Sequence, residues 1–475
     1  MRDRAPAPSL TLRSLDVVVV VAALLSINIF FTGGFREWTP LGRLSLTSWE
    51  RPLIVAAILA AIRQWFWPRP TIVARTIDGL RRLWAITGVR QALPVVLSTR
   101  TGAFLAGFLG IALFGYRESV GVPWRIYENE ILNLPARWDT GWYLGVAIDG
   151  YMWTPTRDLI QQNITFFPVY PMLMRYGSLL LGRETMWTGV LISWLSFFGA
   201  LVYLYRLTTE RVREDAASIA IALLACYPFA FFYSTAYTES LFLLTMVGAC
   251  YHFERDELWK ASFWGLLAGL TRPNGSLLSV VLALIALRPM WPHGWSALRP
   301  TLPPVGGWPR MADRVAAAAA PGIGMLIYST YIFFLTGNPL QWAAQNAAWG
   351  RVYRGLGALV TQQSQTIGEH GLYEYAATRT LDAVQLVAVL FVLGTVVPIA
   401  RRVGLPYAVM VLVNTVTPLL MGGLLSMGRV TSVLFPVFIW LGTAVPPTHR
   451  TSWLAVFAML QALLAAVFFT WRPLY

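Results

Sequence analysis

The chain holds 475 residues, 56% of them hydrophobic and only 13% charged, with a mean hydropathy of +0.56. Soluble domains carry about 25% charged residues, so this composition cannot build a water-facing exterior and the chain reads as an integral membrane protein. Its formal charge of +14 is almost all arginine, Lys260 being the single lysine, and the arginines cluster between apolar runs. That placement is topogenic and speaks against nucleic-acid binding. Cys226 and Cys250 are the only cysteines and lie inside apolar runs, which excludes a disulfide scaffold.

A spanning helix needs about 20 apolar residues. In chain order, candidates fall at 17–33, 50–67, 94–115, 188–206, 216–233, 236–254, 259–272, 275–289, 315–336, 383–400, 406–423, 430–446 and 453–471, about thirteen in all. The pair 259–272 and 275–289 flanks the breaker Thr271-Arg272-Pro273-Asn274-Gly275 and reads as a tight hairpin or a broken helix. No small-residue cleavage pattern follows the run after Arg13, so it is taken as the first membrane helix, not a cleaved signal. Residues 1–92 then form a two-helix extension with an arginine-rich connection, ahead of a transmembrane domain over 93–475.

Arginine asymmetry sets the expected orientation. The 63–92 connection carries Arg63, Arg69, Arg75, Arg81, Arg82 and Arg90 against Asp78, and the N-terminus carries Arg2, Arg4 and Arg13. Both are assigned to the cytoplasm, as are the connections holding Arg288, Arg299, Arg310 and Arg314, then Arg401 and Arg402, then Arg450. The 116–187 connection holds Glu118, Glu128, Glu130, Asp139, Asp149 and Asp158 against Arg117, Arg125, Arg137 and Arg157, and is placed outside. Within it Phe166–Gly182 is apolar, but a full crossing there would invert everything after it. Pro168, Pro171 and Arg175 make it a re-entrant or interfacial element. The expectation is a multi-pass protein of the plasma membrane with a cytoplasmic N-terminus.

Several chemistries are absent from the sequence. There is no G-x-x-x-x-G-K-[ST] loop and no G-x-G-x-x-G between a strand and a helix. His252, His293, His370 and His449 show no metal-ligand spacing, and no Asp-x-Asp occurs. No cofactor and no metal site are expected, with metal stimulation left open.

The polar exceptions gather at one membrane face. In Arg137-Trp138-Asp139-Thr140-Gly141-Trp142-Tyr143 a carboxylate sits among aromatics. One reading makes Asp139 the cap of an interfacial helix running to about Ala147, with Trp138 and Trp142 as headgroup anchors. The other makes it a general base that takes a hydroxyl proton while the aromatics stack on sugar faces. Glu239 falls in the first turns of a membrane helix, where the helix terminus stabilises a carboxylate, although intramembrane acids mark sites by default. Arg272 at the hairpin tip, Arg351 after Trp349-Gly350 and Arg429 after Ser426-Met427-Gly428 could each snorkel. The topology nevertheless places all three on the extracytoplasmic side, with the two acids, and forked donors there fit a lipid phosphate. Acids, arginines and aromatics together point to glycosyl transfer from a lipid-linked sugar.

At these residues the sequence resembles the PIG-V family (GPI mannosyltransferase II) and its bacterial relatives, in the GT-C class of multi-pass glycosyltransferases. Six stretches carry the resemblance, over residues 101–475: RWDTGWYLGVAIDGY from Arg137, FFPVYPMLMR from Phe166, YTESLFLL from Tyr237, LTRPNG from Leu270, GNPLQWAAQNAAWGR from Gly337 and SMGRVTSVLFPVF from Ser426. The resemblance implies an all-α GT-C-like fold and an inverting enzyme using polyprenyl- or dolichyl-phosphate mannose, with a glycolipid or other membrane-associated acceptor. It makes Asp139 the base and puts Arg272 and Arg429 at the donor phosphate, where the charge pattern adds Arg351. Arg137, Trp138, Trp142, Tyr143, Glu239, Asn274 and Trp349 are then pocket residues. Asn338 and Val430 depart from the family pattern, which commonly has an acid and an aromatic there. The rival classes are a transporter or lipid-linked sugar flippase, with a structural membrane subunit behind both.

Overall fold

The computed structural model describes residues 10–39, 42–118, 124–156, 158–290 and 308–474. Arg2, Arg4, Arg157, His293 and Arg299 lie outside them. The described chain is helical except for an antiparallel hairpin, Phe35–Thr39 (β1) with Gly42–Leu46 (β2), which pairs Phe35 with Leu46. Among the described residues, eight helical stretches are long and apolar enough to cross a membrane: Ser14–Thr32, Val89–Phe114, Thr185–Arg211, Pro273–Met290, Pro309–Thr336, Thr380–Arg402, Leu405–Gly422 and Pro447–Phe469. The other five expected crossings are shorter helices, Glu50–Phe66, Glu214–Cys226, Glu239–Glu254, Leu258–Thr271 and Phe435–Ala444. Phe166–Gly182 forms one ten-residue helix, Val169–Ser178. At 1.5 Å per residue it is about half the thickness of a bilayer core.

In chain order the helices are α1 Leu10–Thr32, α2 Glu50–Phe66, α3 Ile72–Trp84, α4 Val89–Phe114, α5 Thr140–Asp149, α6 Val169–Ser178, α7 Thr185–Arg211, α8 Glu214–Cys226, α9 Glu239–Glu254, α10 Leu258–Thr271 and α11 Leu278–Leu287. Then come α12 Trp308–Thr336, α13 Gln341–Ala344, α14 Leu356–Thr378, α15 Thr380–Gly394, α16 Val396–Arg402, α17 Leu405–Gly422, α18 Met427–Ser432, α19 Phe435–Ala444 and α20 Arg450–Phe469. In the N-terminal region Asp16 of α1 pairs with Arg63 of α2 at 2.8 Å and Arg75 of α3 at 2.5 Å, and Arg63 is fully buried. Two arginines expected as free topogenic charges are therefore the ties that close α1, α2 and α3 together. The hairpin region reaches the rest of the molecule, since Arg183 Nη2 donates to Arg36 O at 3.1 Å.

α10 and α12 meet backbone to backbone. A Cβ on Gly269 would stand 1.9 Å from Pro321 O, and one on Gly324 would stand 2.3 Å from Leu266 O. Small residues permit such approach where no water is available to drive helices together. This contact fixes α10, whose C-terminal end carries Arg272.

The chain between α8 and α9 is neither exposed nor regular. Tyr227–Thr238 is irregular backbone with a short 3₁₀ turn at Ala230–Ser234, and almost all of it is buried. Carbonyls in such a place must find donors or lose several kcal/mol each. Arg100 of α4, itself fully buried, donates to Ala225 O at 2.7 Å, to Ala230 O and to Ser234 Oγ at 3.2 Å, and lies 4.8 Å over the Phe197 ring. Gln461 of α20 donates to Ala225 O and Tyr227 O, both at 2.9 Å. Tyr233 O–H donates to Ser432 O at 2.8 Å. These bonds replace the helical ladder and deliver Tyr237, Thr238 and Glu239 to the bundle interior. Arg100→Met is expected to remove about 3 kcal/mol or more, at about 1.5–3 kcal/mol for each bond to a charged donor. The thermal midpoint of the detergent-solubilised protein should fall accordingly, and an unchanged midpoint would contradict this role.

Candidate active site

Asp139 is presented by a braced turn. Asn133 accepts from the backbone N–H groups of Ile126 and Tyr127 at 2.8 and 2.9 Å, folding the segment ahead of it. Arg137 is 1% exposed, and its guanidinium points away from Asp139: it donates to Asn133 O (2.8 Å), Ala136 O (2.9 Å) and Phe469 O (2.7 Å) and pairs with Glu130 at 3.4 Å. Arg137 thus braces the loop through three backbone carbonyls. Trp138 follows at φ +48°, a left-handed conformation that costs a bulky residue energy and that clusters at functional sites. The Asp139 N–H then donates to Tyr237 Oη at 3.0 Å, and Tyr237 donates to Arg137 O at 3.3 Å.

The Asp139 carboxylate serves an ion pair and not the end of its helix. It occupies the N-cap position of α5 yet makes no capping bond. Instead Oδ2 accepts from Arg429 Nη1 at 2.5 Å. Arg429 also donates through Nε to Glu239 Oε1, and the same oxygen accepts from Arg272 Nη1. Glu239 is the first residue of α9 and fully buried, so two guanidiniums compensate one carboxylate oxygen. Its other oxygen, Oε2, is buried without a partner. Arg429 lies 4.6 Å over the Tyr237 ring, which holds the guanidinium plane. Thr238 Oγ1 stands 3.1 Å from the Tyr143 hydroxyl and 3.4 Å from Arg272 Nη1. Burial pushes the Tyr143 phenol up to about 12, so it stays protonated at neutral pH.

Arg351 differs from its neighbours. Its side chain packs against Gly422, and among the described residues it has no carboxylate within ion-pairing distance. Burial, then the nearby guanidiniums of Arg429 and Arg272, pull its pKa down to about 10. An anion would relieve both costs. Three arginines against Asp139 and Glu239 leave one uncompensated positive charge, which one phosphodiester would neutralise.

Beside these charges is an aromatic rim. Trp142 stacks on Phe166 at 5.8 Å with 10° between planes, and Trp349 meets both edge-on at 5.0 and 5.5 Å. Trp138 turns instead toward Trp471, 5.0 Å away. Asn274 sits below, its amide donating to Asn414 Oδ1 at 3.1 Å. Tyr237, Thr238 and Asn414 join the site without having been singled out in the sequence. Tyr237 and Thr238 flank Glu239 in the stretch read for its acid, and Asn414 shows only as an amide in an apolar helix. Among the described residues, no three His, Cys, Asp or Glu side chains group as metal ligands would.

Residues 120–289, roughly a third of the chain, match the Mannosyltransferase (PIG-V) family. The match contains Asp139, Glu239, Arg272 and four of the six stretches quoted above, and ends before those at Gly337 and Ser426. Over those residues the chain is similar to a mannosyltransferase family, and its described residues include eight helical stretches long and apolar enough to cross a membrane. No curated protein matches it. Among solved structures, the crystal structure of ArnT from Cupriavidus metallidurans bound to undecaprenyl phosphate is 11% identical, covering 79% of this chain and 76% of that one with a TM-score of 0.42. The Archaeoglobus fulgidus oligosaccharyltransferase complex with Zn and sulfate is 13% identical, covering 80% of this chain and 53% of that one with a TM-score of 0.37.

The ion-pair network carries a stability expectation. Glu239→Gln leaves Arg272 and Arg429 short of a buried counter-charge, and breaking a buried pair costs about 3–5 kcal/mol. A fall in the thermal midpoint of the unliganded protein is expected. If the midpoint held, the two arginines would be solvated and not paired as described.

Proposed function

We propose that the chain is an inverting mannosyltransferase of the plasma membrane. It moves the sugar of a polyprenyl-phosphate-linked donor onto a hydroxyl of a membrane-associated acceptor at the extracytoplasmic face. The observation that carries the reading is Arg351, a buried cation with no carboxylate in ion-pairing distance among the described residues, near the Asp139–Arg429 pair. The arginine asymmetry of the connections supports the orientation, and the match to a mannosyltransferase family supports the sugar.

In this mechanism the acceptor O–H gives its proton to Asp139 as its oxygen bonds to the anomeric carbon. On the opposite side, the bond from that carbon to the phosphate oxygen breaks and the electron pair leaves with the polyprenyl phosphate. Asp139 suits the base better than Glu239 because 26% of its side chain is exposed, whereas Glu239 is sealed in at 0% and shared by two arginines. The departing phosphate gains a charge, so guanidiniums fixed around it stabilise the transition state more than the ground state. Three such groups supply the positive field, and the proposal calls for no cofactor. The rim of Trp142, Phe166 and Trp349 offers apolar ring faces to a sugar.

The deciding assay is transfer of labelled mannose from polyprenyl-phosphate mannose in membranes containing wild type or Asp139→Asn. General-base help is worth about 10²–10⁴-fold, so the variant should lose at least about a hundredfold at equal expression. Wild-type turnover by Asp139→Asn would remove Asp139 as base. Transfer in unsealed membranes also separates an enzyme from a flippase, which needs two compartments. Arg351→Ala should weaken thermal stabilisation by polyprenyl phosphate about tenfold or more in apparent affinity, as expected for a lost charge-assisted contact. Unchanged affinity would place the phosphate elsewhere.

A further inference from the structure

Base and guanidinium come from opposite ends of the chain, 290 residues apart, so something must hold them in register. The stretch Phe469–Leu474 touches both supports. At one end Phe469 O accepts from Arg137 Nε at 2.7 Å, and Trp471 lies 5.0 Å from the Trp138 ring, just ahead of Asp139. At the other end Leu474 O accepts from Gln385 Nε2 at 2.7 Å. The Oε1 of the same amide accepts from the backbone N–H of Gly428, just ahead of Arg429.

Gln385 is a polar residue in the otherwise apolar run AVQLVAVLFVLG of α15, and it is 3% exposed. An amide in that position is costly unless both its ends are used. Both are used, and their sense is unambiguous, because a carbonyl only accepts and a backbone N–H only donates. Gly428 lies in the first turn of α18, where N–H groups have no helical acceptor. There is no slack around it: a Cβ on Gly428 would stand 2.1 Å from Phe229 Cζ, and Ser426 is already left-handed at φ +59°.

We infer that Gln385 is a positioning residue for sugar transfer, tying the backbone before Arg429 to the stretch Phe469–Leu474 that also braces the backbone before Asp139. The inference rests on the function proposed above. Gln385 touches no reacting atom; it acts through the peptide bond next to Arg429. Of the two bonds it makes, the one to Gly428 sets the rotation of α18, and the one to Leu474 refers that rotation to the Asp139 loop.

The test is a double-mutant cycle on turnover, with wild type, Gln385→Met, Arg429→Ala and the double variant in matched membranes. Gln385→Met keeps length and helix preference but deletes both bonds. A misplacement of about 1 Å can cost about a hundredfold, so turnover should fall about 10- to 100-fold in the otherwise wild-type protein. Once Arg429 is gone there is nothing left to position, and the same substitution should then cost less than about threefold. A purely structural role would give the same factor in both backgrounds, and that result overturns the inference, as does normal turnover by Gln385→Met. If Gln385→Met is not recovered as a folded species, Gln385→Asn, which draws the amide back by one methylene, replaces it in the cycle. Absence of transfer by wild type itself overturns the proposed function and this inference with it. Wild-type transfer with an indifferent Gln385 overturns the inference alone.

Discussion

One guanidinium holds the site together. Arg429 reaches Asp139 with one nitrogen and Glu239 with another, joining α18, α5 and α9 at a single buried point. Removing such charges from water costs several kcal/mol per ion unless geometry and further hydrogen bonds repay it. That constraint accounts for much of the surrounding construction. Arg272 shares the Glu239 oxygen, Tyr237 lies flat under the Arg429 plane, and the Asp139 loop is fixed by Tyr237 from one side and Arg137 from the other. Without these supports the helices would have reason to keep the charges apart.

The same geometry sets up a competition. Arg429 and Arg272 are engaged by carboxylates, while Arg351 has none within ion-pairing distance among the described residues. Under the proposed function, an arriving phosphate has one cation at once and must share the others with Asp139 and Glu239. In that reading, sharing loosens the hold of Arg429 on Asp139 as the donor takes its seat. Substrate binding and readiness of the carboxylate are thereby linked through one side chain, and no moving domain is needed.

Much of this was legible in the sequence because charge inside an apolar chain has few explanations. Asp139, Glu239, Arg272 and Arg429 stood out as polar exceptions, and the structure brings them into contact. Arg137, read as a pocket residue, braces the loop through backbone carbonyls, because residue type does not reveal which way a guanidinium turns. Helix ends were misjudged where the backbone is irregular but apolar: residues 216–254 read as two long helices, whereas α8 stops at Cys226 and α9 starts at Glu239. A count of apolar residues cannot see that Arg100 and Gln461 satisfy the intervening carbonyls. Gln385 left a fainter trace, a lone amide in an apolar helix, and its partners lie 43 and 89 residues away.

The glycine contact between α10 and α12 has a mechanical consequence. With Gly269 against Pro321 O and Gly324 against Leu266 O, no layer of side chains separates the two helices, so they cannot slide past one another by repacking. Arg272 at the end of α10 is accordingly an anvil. Arg351 belongs to the opposite kind of structure, a short loop bounded by Gly350 and Gly355, both at positive φ. Under the proposed function, a lipid headgroup held between them meets one wall set by locked helices, at Arg272, and one set by a loop that Arg354 N–H ties to Leu420 O at 2.9 Å, at Arg351.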